Sequence, residues 1–263
     1  IELDNTFPWN RTNSVLTFDG KDKVYSSFNV SITKVTGGQS NFGLQNVKTN
    51  IADVSKYGQL FVLPFGEDVN RGSNTAVFRY TGLFVNAAED GTIVELDLNA
   101  DGTTDFTSPT LNEGEVWFYN GTGSTPGNSS NDVNKSNDIK SGAIVKSNKD
   151  VGVNLVFGGI DNYGTRNIPV FPSQYYGSEY ITPVYSKNSN APAYAYFVNP
   201  GSSAITITWT RSAGSPTTGT ITLPAKGSNW FNLDETSGTK FKSNGDQPFT
   251  AVVVVDDDNT AST

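Results

Sequence analysis

The chain has 263 residues and a formal net charge of -8 at pH 7, from 18 basic and 26 acidic side chains. Because a field of that sign repels phosphate groups, the composition argues against nucleic acid and anionic lipid as partners. Cys, His and Met are all absent, which removes disulfides, imidazole bases and the commonest zinc ligands. The 26 Gly, 12 Pro and 12% aromatic residues are typical of short strands joined by many turns.

Several features indicate an extracellular or cell-surface location. The start at Ile1 has no signal-peptide pattern, and no window approaches the roughly 20 apolar residues of a membrane span, so we expect a processed protein or a piece of one. Absent cysteine argues weakly for a reducing compartment, although many bacterial and archaeal surface proteins also lack it. Glycosylation sequons fit secretion, but a chain this rich in Asn, Ser and Thr forms several by chance. The sequons begin at Asn10, Asn29, Asn120, Asn128 and Asn134.

An internal repeat organises the chain. The segment 24–38 aligns with 145–159 and, in part, with 241–255. Other segments recur in the same order, which chance does not preserve. These pairs are 57–64 with 176–183, 84–87 with 197–200, Gly114 with Gly227, Trp117 with Trp230, and Phe118 with Phe231.

The repeat predicts an all-β fold of tandem β-sandwich units with a period of about 113 to 121 residues. Residues 1–56 would contain only the closing half of a unit, 57–165 a first full unit, and 166–263 a second. A single distorted barrel or a partial propeller remains an alternative.

The predicted strands fall into two patterns. Segments 92–98 and 204–209 alternate apolar and polar residues, which indicates a sheet with one face buried. Segments 60–65 and 252–255 are almost unbroken apolar runs, which favours central strands of a sandwich. The polar segment 121–142 is the longest predicted loop.

Four motifs carry a family resemblance. They are Tyr176-Gly-Ser-Glu-Tyr180 with Pro183, Phe84-Val-Asn-Ala-Ala-Glu-Asp-Gly-Thr92, Leu111-Asn-Glu-Gly-Glu115, and Ser141-Gly-Ala-Ile-Val-Lys-Ser-Asn-Lys-Asp-Val-Gly-Val153. Over most of residues 57–256, the chain resembles the repeated domain named after the amino-terminal region of the IgGFc-binding protein. The resemblance implies a β fold in a large bacterial or archaeal surface protein. It brings no catalytic signature and does not imply antibody binding.

One local motif has the spacing of a calcium loop. Oxygen-bearing side chains at alternate positions can converge on a hard cation, while Gly102 permits the sharp turn. Position 12 is Ser108 rather than Glu and the flanks are predicted strands, so the motif is a hairpin version and not an EF-hand. The candidate calcium ligands are Asp97, Asn99, Asp101, the Thr103 carbonyl and Asp105.

A plain hairpin turn is the alternative interpretation of this motif, because Asp and Gly supply the positive φ angles that such turns need. In the second unit the corresponding positions carry no carboxylate. These positions are Thr210, Ser212, Gly214 and Thr218. Closely spaced acidic groups repel one another, which favours a neutralising calcium ion in the first unit.

We predict that the protein is not an enzyme. The strand Glu95-Leu-Asp97-Leu-Asn99 approaches a glycosidase motif, but Asn99 cannot serve as the second catalytic carboxylate. Glu113 and Glu115 lie two apart on a predicted strand, where a solvated edge is the expected role.

The four tryptophans suggest a second function. A stacking platform for sugars would make the chain a carbohydrate-binding module. Trp117 and Trp230 recur in both units, which favours core packing, whereas Trp9 and Trp209 have no counterpart. Core or interface packing is also favoured for these two.

The leading hypothesis is an extracellular structural or adhesive surface protein that self-assembles into a filament or layer and is stabilised by calcium. Its partners would be copies of itself or other surface proteins, and glycans in the alternative function. Residues 1 to about 45 lack the opening strands of a unit, so either internal docking or strand addition to a neighbouring subunit must complete them. Strand addition would make the protein a homo-oligomer.

Overall fold

The structure, a computed structural model, describes residues 24–28, 30–36, 47–69, 78, 81–119, 137–157, 166–183, 193–233 and 237–255. These residues form an all-β fold, as predicted. Its strands are β1 (Thr33–Thr36), β2 (Val47–Asn50), β3 (Gly58–Val62), β4 (Thr81–Ala87), β5 (Val94–Asp97), β6 (Phe106–Thr107), β7 (Val116–Tyr119), β8 (Ile144–Phe157), β9 (Arg166–Val170), β10 (Glu179–Thr182), β11 (Ala193–Val198), β12 (Ile205–Arg211), β13 (Thr218–Leu223), β14 (Ser228–Asn232), β15 (Thr239–Ser243) and β16 (Thr250–Val255). Short 3₁₀ turns lie at Val54–Lys56, Ser173–Tyr175 and Asn244–Asp246. Within these described ranges, no helix has the length and apolar character needed to cross a membrane.

Strand β8 runs through a seven-stranded sheet, and its 14 residues pair with different strands at its two ends. Its first half lies between β3 and β5, and β6 extends the sheet beyond β5. Its second half lies between β4 and β9, and β7 extends that sheet beyond β4. All these pairings are antiparallel.

The second half of the chain repeats this arrangement with β8 replaced by two separate strands. One sheet has the order β10-β15-β12-β13, which matches β3-β8-β5-β6. The other has the order β14-β11-β16, which matches β7-β4-β8. The same strand order in both halves agrees with the predicted repeat.

The two halves have separate apolar cores that meet at β11. Successive side chains on a strand point to opposite faces. Tyr194 and Tyr196 accordingly pack on the first core, which includes Phe65. Ala195 and Phe197 pack in the second core. Strand β11 is therefore buried on both faces.

The unbroken apolar runs are mostly buried, although Leu60 is 39% exposed, and among the described strands they are not central as predicted. Strand β3 pairs only with β8, and β16 pairs only with β11, among the described strands. On β16, Val252 and Val254 pack on the first core, while Ala251 and Val253 pack on the second. An apolar run indicates that both faces of a strand are buried, but it does not indicate how many strands pair with it.

The connections into the two units also repeat. Strand β9 pairs with the end of β8, with Arg166 opposite Phe157. Strand β2 pairs with β1, with Val47 opposite Thr36. The proposed boundaries at 56/57 and 165/166 stay predictions. Most of the predicted loop 121–142 lies outside the described residues.

Candidate functional site

The motif predicted to bind calcium forms the hairpin loop between β5 and β6. Strand β5 ends at Asp97 and β6 begins at Phe106. Ala100 and Gly102 have positive φ angles of 60° and 95°. These two left-handed residues reverse the chain direction, and a glycine adopts that conformation without steric cost.

Asp97 organises the loop by accepting backbone hydrogen bonds. Its side chain is 5% exposed, so its oxygens must find partners within the protein. Oδ1 accepts from the N–H of Asp101 at 3.2 Å, and Oδ2 accepts from the N–H of Gly102 at 2.9 Å. The N–H of Asn99 also donates to Oδ1, at 3.4 Å. The buried carboxylate therefore stabilises the turn by accepting hydrogen bonds from its backbone N–H groups.

The other motif residues extend this network. Asp101 Oδ1 accepts from the Thr103 N–H at 2.8 Å, and this hydrogen bond holds the pKa of Asp101 below its usual value. Asn99 Oδ1 accepts from the Asp101 N–H at 3.0 Å. Asp105 Oδ2 accepts from the Leu98 N–H at 2.7 Å. Thr103 thus contributes its N–H, and its predicted role as a carbonyl ligand stays a prediction.

The donor chemistry of the loop fits a hard cation. Carboxylate and amide oxygens are the ligands that calcium prefers, and a carboxylate has about four lone-pair sites. The backbone donors therefore leave capacity on Asp97, Asp101 and Asp105. Across the described part of the chain, no group of three or more His, Cys, Asp or Glu is placed to hold a metal ion. The calcium site stays a prediction.

The corresponding hairpin of the second unit closes without acidic residues. It joins β12 to β13, and Gly214 in its turn has a φ of 87°. The Arg211 Nε donates to the Pro216 carbonyl at 2.8 Å across this turn. Since a hairpin at this position forms without carboxylates, turn formation alone does not require the acidic residues of the first loop.

The acidic residues considered for catalysis do not lie together in one site. Glu95 is exposed on β5. Glu113 and Glu115 precede β7, which begins at Val116, so their predicted place on a strand is wrong. Glu115 Oε2 instead accepts from the Asn112 N–H at 2.8 Å and stabilises the turn before β7.

Three tryptophans have different environments. Trp117 packs against the first core, as predicted, and Trp209 is buried in the second. Trp230 is 39% exposed, so its predicted core role is wrong. Its ring meets Tyr194 edge to face, with centroids 5.7 Å apart. Trp9 and the asparagines of all five sequons lie outside the described residues.

Two buried acidic residues were missed from the sequence. Glu67 is 2% exposed and accepts from the Thr81 N–H at 2.9 Å, and Asp138 is fully buried. Both lie close enough to Tyr119 for their charges to act on it. Burial raises the pKa of the Tyr119 hydroxyl far above 10.0, and the charges of Asp105, Asp138 and Glu67 raise it further. No local pattern distinguishes Glu67 and Asp138 from surface acids.

Comparison with known protein families, curated proteins and solved structures finds no significant match to this chain.

Proposed function

We propose that this protein is an extracellular structural or adhesive component of a cell surface, built from tandem sandwich units that self-assemble. One observation carries the proposal: the strand that leads into a unit pairs with the last strand of the preceding segment. It does so twice in the same register, as β2 on β1 and as β9 on β8. A connection of this kind can be repeated along a rod or layer.

The contact between the two cores supports a structural role. Tyr196 is 2% exposed and packs edge to face on Phe65 and Phe78, with centroid distances of 5.3 and 5.4 Å. Such aromatic pairs add about 0.5–1.5 kcal/mol beyond the burial of their area. The apolar contact restrains motion between the units, as an extended surface structure requires.

The resemblance to the repeated domain of the IgGFc-binding protein supports the same setting, because that domain occurs in large surface proteins. The net charge of -8 and the absence of cysteine are compatible with it. We therefore propose copies of the chain, or other surface proteins, as the partners, and propose no catalytic role.

Self-assembly can be tested directly on the purified chain. Sedimentation velocity over a range of concentrations should show species larger than a monomer, and negative-stain electron microscopy should show filaments or sheets. A strictly monomeric chain at high concentration would contradict self-assembly. Surface labelling of intact cells of the source organism tests the location separately.

We further propose that the β5–β6 loop binds one calcium ion. A ligand held only by the folded state stabilises it by RT ln(1 + [L]/Kd), so the melting temperature rises with the free ligand concentration. The melting temperature should therefore rise in millimolar calcium relative to chelator. The variant Asp101→Asn should lose this response, while Thr210→Ala in the corresponding second hairpin should keep it. Identical melting curves of the wild-type chain in calcium and in chelator would refute the site.

A carbohydrate-binding module is the second candidate, and the exposed ring of Trp230 favours it. Trp230 and Tyr194 together present aromatic surface at the edge of a sheet. A glycan array with the wild-type chain and with Trp230→Ala tests this function. Binding that depends on Trp230 would support it, and no binding by the wild-type chain would count against it.

A further inference from the structure

Strand β16 has an edge that is unpaired among the described strands. In the first unit, the second half of β8 lies between β4 and β9. In the second unit, the corresponding strand β16 pairs with β11 on one side, and no described strand pairs with its other side. Alternate residues of an edge strand direct their N–H and C=O groups away from the neighbouring strand. Among the strands that the structure describes, the second unit therefore has no counterpart of β9.

Strand β2 has the same place in the repeat as β9. Each strand is followed by a 3₁₀ turn, at Val54–Lys56 and Ser173–Tyr175, and then by a Tyr-Gly pair that leads into the next strand. Each also pairs antiparallel with the strand before it. In the matched registers, Asn50 lies opposite Thr33, and Pro169 lies opposite Asn154. In position and in register, β2 therefore corresponds to β9, the strand that pairs with the equivalent edge in the first unit.

The β1–β2 pair is a weak competitor for β2. It is a sheet of two strands with four residues each, and two-stranded sheets are marginally stable in water. The residues that precede β1 are largely exposed, so they add little apolar contact that would stabilise the β1–β2 pair. Tyr25 is 79% exposed, Phe28 is 83% exposed and Val30 is 60% exposed. Strand β2 also lies beside β9, so the exchange would give up that contact and the short β1 pairing in return for an edge of a packed three-stranded sheet.

We propose that β16 of one copy accepts β2 of a second copy, in the way that β8 accepts β9 within the chain. The assignment rests on the proposed self-assembly and deepens it by naming the donor strand and the acceptor edge. The contact joins different surfaces of the two copies, so it continues head to tail and builds a filament. The junction between copies would reproduce the junction between units of one chain.

The repeat also predicts the register of the intermolecular pair. The alignment of 241–255 with 145–159 places Thr250 at the position of Asn154 and Val253 at that of Phe157. Val253 and Phe157 each pack on the core of their own unit, so the alignment preserves the faces. Asn50 of the second copy should therefore lie opposite Thr250.

Disulfide trapping tests this register, and the chain has no native cysteine to interfere. Full-length Thr250→Cys and Asn50→Cys are mixed in equal amounts and oxidised, so that any heterodimer must be intermolecular. The control mixes Asn50→Cys with Asn232→Cys, an exposed position on β14 at the opposite edge of the same sheet. Only facing residues bring their Cα atoms within disulfide reach, so the first mixture should give about tenfold more heterodimer. Matching melting curves confirm that each variant folds.

The outcomes separate the edge assignment from the proposed function. A heterodimer yield no greater than the control, with a wild-type chain that still assembles, would overturn the pairing of β16 with β2 and leave self-assembly standing. A wild-type chain that stays monomeric and gives no trapped heterodimer would overturn both. Trapping that appears only after deletion of residues 256–263 would show that the chain covers its own β16 edge, and would also overturn the proposal.

Discussion

The ring of Tyr196 packs edge to face on the ring of Phe65, with centroids 5.3 Å apart, and joins two sandwich units that each have a core of their own. Tyr196 lies on β11, whose next residue, Phe197, is fully buried in the second core. We therefore expect the folding of the two units to be coupled through neighbouring residues of one strand.

Replacing Tyr196 should weaken this coupling. Truncation of a buried aromatic side chain costs about 3–5 kcal/mol, so Tyr196→Ala should lower the unfolding free energy by that order. Calorimetry should also show the single unfolding transition separating into two. Tyr25→Ala, at a residue that is 79% exposed, is the control and should leave the transition unchanged. A variant with wild-type stability would show that the contact is not formed in solution.

Gly58 and Gly177 occupy matching positions in the repeat but should respond differently to alanine. A Cβ on Gly58 would lie 2.6 Å from Cβ of Pro172, whereas the nearest atom to a Cβ on Gly177 is the Tyr180 hydroxyl at 3.5 Å. Overpacking costs about 1–3 kcal/mol, so Gly58→Ala should be destabilising. Gly177→Ala should be close to neutral or stabilise by about 0.4–1 kcal/mol, because alanine restricts the unfolded chain. Chemical denaturation of both variants measures the difference, and equal effects would contradict the packing of Pro172 on β3.

Asp97 should contribute to stability even without calcium. Its carboxylate accepts backbone hydrogen bonds from Asp101 and Gly102 in a buried position. A hydrogen bond to a charged group contributes about 1.5–3 kcal/mol, so Asp97→Ala should lower the unfolding free energy in chelator by that order. Thr210→Ala, at the matching position in the second unit, is exposed and should have little effect. A neutral Asp97→Ala variant in chelator would show that these hydrogen bonds do not stabilise the hairpin.

Stability should fall at alkaline pH. Burial raises the pKa values of Tyr119 and Tyr176 far above 10.0, so the folded state keeps protons that the unfolded state loses. The stabilisation is complete below pH 10 and is lost as the pH rises toward the folded-state pKa. Denaturant midpoints measured from pH 8 upward should therefore decrease above pH about 10. Tyr119→Phe should reduce this decrease, whereas the exposed control Tyr25→Phe should not. An unchanged slope in Tyr119→Phe would exclude Tyr119 as a contributor.

Trp117 and Trp230 should differ in their effect on stability and in solvent access. Trp117 packs on the first core, so Trp117→Ala should cost about 3–5 kcal/mol. Trp230 is 39% exposed, so Trp230→Ala should cost less than about 1 kcal/mol. The fluorescence lost in Trp230→Ala comes from the more exposed ring. Acrylamide should therefore quench it more strongly than the fluorescence lost in Trp117→Ala. Similar quenching of both residues would contradict their placement on opposite faces.

The sequence by itself determined the fold class and the order of the repeat. Alternation in β5 and β12, and the turn residues around them, are local signals that a strand carries regardless of its partners. The motif from Asp97 to Asp105 also showed the position of a sharp hairpin, because its Gly and Asx residues match the backbone angles of the turn.

Only the tertiary structure decided which face and which edge each strand presents. Phe84 and Phe118 stack on the side of their sheet away from the first core, while their counterparts Phe197 and Phe231 pack in the second core. A shift of one residue in register inverts the faces of a strand, so matching sequences can place Trp117 inward and Trp230 outward. Edge positions depend likewise on partners far along the chain.

Burial of Glu67 and Asp138 was also decided by tertiary contacts. Their segments have no apolar alternation, and their burial results from the packing of loops on the first core around Tyr119. Distant elements supply the neighbours that surround these carboxylates, as the hydrogen bond from the Thr81 N–H to Glu67 shows. A local pattern records the preferences of a segment, whereas burial of a charge depends on groups that only folding brings together.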